Sequence, residues 1–213
     1  MITLKVDPEN PDMKAMRAAA DAIRRGELVI FPTETVYGLA ADALNEEAVR
    51  KVFDAKGRVD EQPLPVQVGS LDAVLQAAEF VPASAKLLAE LYWPGPLTLV
   101  LVKNTSVPAI VTGGRETVGV RVSDHPVALA LAKEVGSPIV ATSANLSGEV
   151  PPTNAADAVK GVGRSVAVVL DGGESRLGSS STVVDVTVTP ARVLRRGSIS
   201  VDDIRKVLGE VGE

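Results

Sequence analysis

Phe31-Pro32-Thr33-Glu34-Thr35-Val36-Tyr37-Gly38-Leu39-Ala40-Ala41-Asp42 continues a short apolar run, Leu28-Val29-Ile30-Phe31, that reads as a buried strand. Pro32 has no amide hydrogen to give a ladder and ends that strand. Two threonines, a glutamate and a tyrosine follow within five positions, so hydroxyls and one carboxylate stand at the carboxyl end of a core strand. In open α/β sheets ligands bind beyond that end. The same residues also suit an ordinary strand exit with local Thr turns.

Outward from this stretch the chain alternates strands and helices. On the amino side, Asn10-Pro11-Asp12 opens a helix that Gly26 stops, with Met13, Met16, Ala20 and Ile23 on one face. On the carboxyl side a helix runs from Glu46 to Ala55 and ends in Lys56-Gly57-Arg58, two cations placed well for a helix dipole. Leu64-Pro65-Val66-Gln67-Val68 alternates like a strand, and Pro65 suggests an edge or an irregular start. Leu71 to Glu79 and Pro82 to Tyr92 read as helices, and Trp93-Pro94-Gly95-Pro96 breaks the chain before the strand Leu97 to Val102. Val107 to Val111 reads as a short strand. Thr117 to Val122 alternates, and an arginine there, Arg121, needs an anionic partner or an open cavity. His125-Pro126 opens a helix to Val135. Pro138 to Thr142 is a core strand that leads into Ser143-Ala144-Asn145-Leu146-Ser147-Gly148, a second polar cluster at a strand exit. Asn154 caps a helix from Ala155 to Lys160. Strands follow at Val166 to Leu170, Val183 to Val188 and Arg192 to Gly197, and Ser198 or Ser200 caps a terminal helix through Leu208. The pattern predicts an α/β fold with a mainly parallel or mixed sheet.

Composition narrows the function. The 213 residues show no linker, repeat or low-complexity tract, which favours a single domain over residues 1–213. The net charge of −5 argues against a surface coated for nucleic acid. With no cysteine, disulfides and thiolate chemistry are excluded. The amino terminus lacks the pattern of a signal peptide and no apolar run reaches membrane length, so a cytoplasmic protein without a membrane contact is expected. There is no phosphate-loop or dinucleotide fingerprint, no His-rich metal cluster and no nucleophile elbow. The single histidine, His125, reads as a structural or surface residue.

What remains is a set of cations (Lys56, Arg58, Arg121, Arg195) and hydroxyl or amide groups (Thr33, Thr35, Ser143, Asn145, Ser181, Thr182) near element ends. Such groups suit a polyanion such as a nucleoside triphosphate, with Mg²⁺ held largely by phosphates and water. Each alone also serves as a surface or turn residue.

Taken in order, Pro32-Thr33-Glu34-Thr35-Val36-Tyr37-Gly38-Leu39, Lys56-Gly57-Arg58, Trp93-Pro94-Gly95-Pro96-Leu97-Thr98, Val120-Arg121 with His125-Pro126, Thr142-Ser143-Ala144-Asn145-Leu146-Ser147-Gly148, Ser181-Thr182-Val183-Val184-Asp185 and Leu194-Arg195-Arg196-Gly197 resemble the YrdC-like family of threonylcarbamoyl-AMP synthases, the TsaC type. The resemblance covers about residues 12 to 208. It implies a twisted α/β fold with a large concave basic cavity, and a nucleotidyl transfer in which L-threonine, bicarbonate and ATP give threonylcarbamoyl-AMP and pyrophosphate. It further implies that a partner transferase complex moves the threonylcarbamoyl group to adenosine 37 of tRNA. Carried over by position, Thr35, Gln67, Arg121 and Ser181 would face threonine. Lys56, Arg58, Ser143 and Asn145 would hold phosphates and carry the catalysis. Gln62, Thr117, Ala141, Pro151 and Arg195 would contact the nucleotide. The chain departs from the family at Val59 (often proline), Gln67 (often histidine) and Pro151 (often serine). A YciO-like paralogue and a double-stranded-RNA-binding module share the implied fold. The segments 59–63 and 174–180 are candidate lids.

Overall fold

The computed structural model describes residues 1–58 and 62–213. Its elements, in chain order, are β1 (Ile2–Lys5), α1 (Met13–Arg24), β2 (Leu28–Phe31), β3 (Gly38–Asp42), α2 (Glu46–Lys56), β4 (Val66–Gln67), α3 (Ala83–Tyr92), β5 (Leu97–Val102), α4 (Ala109–Thr112), β6 (Thr117–Arg121), α5 (Pro126–Val135), β7 (Ile139–Ser143), α6 (Ala155–Val162), β8 (Val166–Asp171), β9 (Thr182–Asp185), β10 (Ala191–Arg195), α7 (Val201–Leu208) and β11 (Val211–Gly212). The strands form one mixed sheet in the order β1-β8-β2-β3-β7-β4-β6-β5-β9-β10-β11.

Side-chain alternation along each strand sorts the apolar residues onto two faces. Leu28 and Ile30 of β2, with Leu39 and Ala41 of β3, pack into one core under α2, α3, α6 and α7. Val29, Phe31 and Ala40 point the other way, against Met16, Ala19, Ala20 and Ile23 of α1 and Val127, Ala128 and Leu131 of α5. Burying a side chain such as Phe31 or Leu39 completely is worth about 1.5–3 kcal/mol each, and both are fully covered here. The Val- and Ala-rich composition thus fits a sheet sandwiched between helix layers.

Helix starts follow local chemistry. Asp12, Asn45, His125, Asn154 and Ser200 each accept a backbone N–H of the first turn of α1, α2, α5, α6 and α7. His125 is therefore a cap, through Nδ1, as its structural reading required.

Several expectations are corrected. Residues 38–42, to which the sequence pattern assigns no element, form β3, antiparallel to β2, so Thr33–Tyr37 is the connection between two paired strands. Val107 to Val111 is not a strand: Pro108 starts the short helix α4 and Gly113, in the left-handed conformation, ends it. The helix expected over Leu71 to Glu79 shrinks to a 3₁₀ turn, Asp72–Gln76. Its continuation is claimed by the end of β5, since Glu79 N–H donates to Val102 and Ala77 accepts from Asn104. β4 is not at an edge; it lies between β7 and β6, and Pro65 precedes it, accepting the Ala141 N–H on its carbonyl. Met13 is exposed rather than buried because it opens α1. β1 and β11 extend the sheet with strands too short to show a pattern.

Candidate active site

The β2–β3 connection folds around Thr33. Its hydroxyl accepts from the N–H groups of Thr35 and Val36 and donates to the Val36 carbonyl, 2.7 Å away. Thr35 Oγ1 lies 2.8 Å from Thr33 Oγ1. Between them Glu34 is 1% exposed. Its carboxylate accepts from Arg121 Nη2 on one oxygen and from the Ser123 hydroxyl on the other. Burial would raise the Glu34 carboxyl, but the Arg121 charge and the bonds from Ser123 and Arg121 outweigh it and hold it below the usual carboxylate range.

Arg121 ends β6 beside Gln67 of β4. Its Nη1 donates to Thr35 Oγ1 at 3.2 Å and its Nε to the Gly95 carbonyl at 3.2 Å. Both conditions set for a strand arginine are met, an anionic partner and an opening, because Arg121 also lines a cavity of about 220 Å³.

In the same cavity, Ser181 Oγ lies 2.8 Å from Thr98 Oγ1. Arg195 donates through Nε and Nη2 to the Ser181 carbonyl, at 3.1 and 3.0 Å, and through Nη2 to its hydroxyl at 3.0 Å. Burial lowers the Arg195 pKa, and the Arg121 charge lowers it further. Gly197 makes this corner possible: a Cβ there would sit 2.4 Å from the Ser180 carbonyl oxygen and the Ser181 carbonyl carbon. Because those atoms are backbone, Gly197→Ala is expected to lose about 1–3 kcal/mol of stability by overpacking, read by urea unfolding; an unchanged midpoint would contradict the contact.

Thr35, Arg58, Gln67, Arg121, Ala141, Ser143, Ser181 and Arg195 line this single cavity, eight of the thirteen residues carried over by position, and Thr33 lines it with them. Thr117 lines an adjoining hollow that shares Pro63, Pro65, Thr98 and Arg195 with it. Lys56 lies behind the wall, 3% exposed, donating to the carbonyls of Ser143 and Asn145. Burial and the nearby Arg58 charge bring its ammonium down to about 8. Asn145 faces a separate depression with Leu146 and Glu149; its amide donates to both of their carbonyls, while Oδ1 is buried without a partner. Gln62 is exposed and Pro151 half-buried, neither in the cavity wall. Thr182 is structural, exchanging hydrogen bonds with the Ile199 backbone. Val59 and most of the 59–63 segment lie outside the described residues. The 174–180 segment is fastened: Leu177 N–H donates to the Glu34 carbonyl, Ser175 N–H to Thr153, and Arg176 to Asp124.

Two residues at the site were missed in the sequence, Thr98 in the cavity wall and Ser123 outside it, bonded to Glu34. Thr98 is the lone polar residue in the apolar run Leu97 to Val102, which could have marked it. Ser123 carried no such signal. Arg58 donates to the Pro63 carbonyl at 3.1 Å, its Nε is buried without a partner, and burial lowers its pKa. Among the described residues no carboxylate lines the cavity. No group of three His, Cys, Asp or Glu side chains among them could hold a metal, and no helix is long and apolar enough to cross a membrane.

A family model named for Sua5, YciO and YrdC and described as telomere recombination matches residues 21–197. A threonylcarbamoyl-AMP synthase of Pyrococcus abyssi is 46% identical over 92% of this chain and 58% of its own length. That of Bacillus subtilis is 42% identical over 91% of this chain and 56% of its own. The chain thus spans a little over half the length of these relatives. The crystal structure of P. abyssi Sua5 with L-threonine superposes with a TM-score of 0.96 at 44% identity, over 100% of this chain and 62% of that one.

Proposed function

The chain belongs to the Sua5/YciO/YrdC family, and from that premise we propose that it makes threonylcarbamoyl-AMP from L-threonine, bicarbonate and ATP, the first step of the threonylcarbamoyl modification of tRNA. The observation that carries this reading is a forked cation, Arg121, held beside Thr35 and Gln67 in the same cavity as Arg58 and Arg195. The amino-acid carboxylate would sit on Arg121, with Thr35, Gln67 and Ser181 around the rest of threonine. The triphosphate would sit on Arg58 and Ser143, with Lys56 and Asn145 shaping the Ser143–Asn145 turn behind it. Arg195, Ala141 and Thr117 would border the nucleoside, with Gln62 and Pro151 at the margin. Three cavity arginines with no lining carboxylate among the described residues would give the basic character that such a ligand needs.

The chemistry asks little of acid–base residues. The neutral amine of threonine adds to bicarbonate, losing water, and gives a carbamate. A carbamate oxygen then forms a bond to the α-phosphorus as the bond to the bridging oxygen breaks and pyrophosphate leaves. Alignment and neutralisation of the developing charge would supply most of the acceleration. Mg²⁺ would travel with ATP, bound by phosphate oxygens and water, since among the described residues no carboxylate lines the cavity and Glu34 is engaged by Arg121 and Ser123. The proposed setting is cytoplasmic, with the product handed to a threonylcarbamoyl-transferase complex.

The deciding assay is pyrophosphate release by the pure protein with Mg·ATP. Release is expected only when L-threonine and bicarbonate are both present. No release under those conditions overturns the synthase reading in favour of a YciO-like role.

A further inference from the structure

The three arginines of the cavity are not electrostatically alike. Among the described residues, Arg58 meets a carbonyl, that of Pro63, and Arg195 the carbonyl and hydroxyl of Ser181. Among the described residues neither pairs with a carboxylate. Arg121 does, through Glu34, and the pair is buried: the side chains are 9% and 2% exposed. Of the five N–H groups of a guanidinium, Arg121 gives Nε to Gly95, one hydrogen of Nη1 to Thr35 and one of Nη2 to Glu34. One hydrogen on each terminal nitrogen is left for a ligand.

We propose that Glu34 is a positioning residue that divides the cavity by charge. It neutralises Arg121, so that this guanidinium takes a monoanionic carboxylate through its remaining hydrogens, and it leaves the uncompensated Arg58 and Arg195 to the polyphosphate. The proposal rests on the synthase reading for the identity of the carboxylate, but the division itself concerns anions of any source.

The physical reason is a difference in field. A polyphosphate gains most where positive charge is uncompensated, because Coulomb energy scales with net charge and is strong in a poorly hydrated cleft. A carboxylate needs geometry more than field, and a guanidinium fixed at three of its donors supplies it without further ordering. Arg121 also lies close enough to Arg195 for its charge to act there. Without Glu34 the three cations would form one continuous anion site, and a triphosphate or released pyrophosphate would compete for the amino-acid end. Ser123 anchors the second carboxylate oxygen, and the Glu34 backbone carbonyl is tied to Leu177, so the carboxylate is held from both ends.

The test is titration calorimetry of the full chain with pyrophosphate. The wild type is expected to bind one pyrophosphate, at least tenfold more weakly after Arg58→Ala, and to bind L-threonine equally well with pyrophosphate present. Glu34→Gln keeps the shape and an acceptor for Arg121 but removes the charge. It is expected to bind a second pyrophosphate, which displaces L-threonine. A single pyrophosphate in Glu34→Gln, bound as in the wild type and without displacement, overturns the division. If Glu34→Gln does not fold, the double variant Glu34→Gln/Arg121→Met removes the pair as a unit. Its pyrophosphate affinity should stay within twofold of wild type, and a tenfold loss would place Arg121 in the polyphosphate site and overturn the proposal. A second pyrophosphate site in Glu34→Gln, with no L-threonine binding in any form, would support the charge division and overturn the synthase reading instead.

Discussion

Arg121→Ala should cut threonine-dependent pyrophosphate release by well over tenfold and destabilise the fold by about 3–5 kcal/mol. The two losses have different origins. The rate falls because the carboxylate of the amino acid loses its forked donor, and a misplaced carbamate no longer faces the α-phosphorus. The stability falls because Glu34, 1% exposed, would be left as a buried charge with only Ser123 for company. Arg121→Lys should recover part of the stability but little of the rate, since an ammonium restores charge without the fork. Steady-state kinetics against threonine, with urea unfolding of the same preparations, separates the two. An alanine variant as stable and as active as wild type would remove both the ion pair and the clamp from the account.

Arg58→Ala should also lower the rate more than tenfold, but with a loss of stability of only about 0.5–1.5 kcal/mol, the net worth of one hydrogen bond. The asymmetry follows from the surroundings. Arg58 is half-buried just beyond α2 and, among the described residues, bonds to the Pro63 carbonyl, so no charged group among them is orphaned when it goes. Its Nε is buried without a partner, which leaves a donor free for the proposed triphosphate. The loss is expected in kcat and in the KM for ATP, with the KM for threonine little changed. A defect confined to threonine would move Arg58 to the other end of the cavity.

How far the chain could be read without coordinates depended on the range of the interactions involved. The strand Leu28–Phe31, the amphipathic α1 with its start at Asp12 and the cap at Asn154 rest on residues within a few positions of one another, and they appear where expected. The short strands β1, β4 and β11 are held by their neighbours in the sheet and carried little pattern of their own. The 3₁₀ turn at Asp72–Gln76 shows the converse: a helical pattern was overridden because the end of β5 took its next backbone groups.

The candidate site divides along the same line. Residue types, their order and the need of Arg121 for an anionic partner were all legible in the one-dimensional string, because the cost of burying a charge is a property of the side chain. Which carboxylate would answer was not. Glu34 and Arg121 are 87 residues apart, and they meet only because β3, β7, β4 and β6 lie side by side in that order. The same arrangement turned Lys56 toward the Ser143 and Asn145 carbonyls and Asn145 toward another hollow. Side-chain chemistry is written locally, whereas partnership is set by strand order and by the face on which each residue lands, and those emerge only when the whole sheet closes its hydrogen bonds.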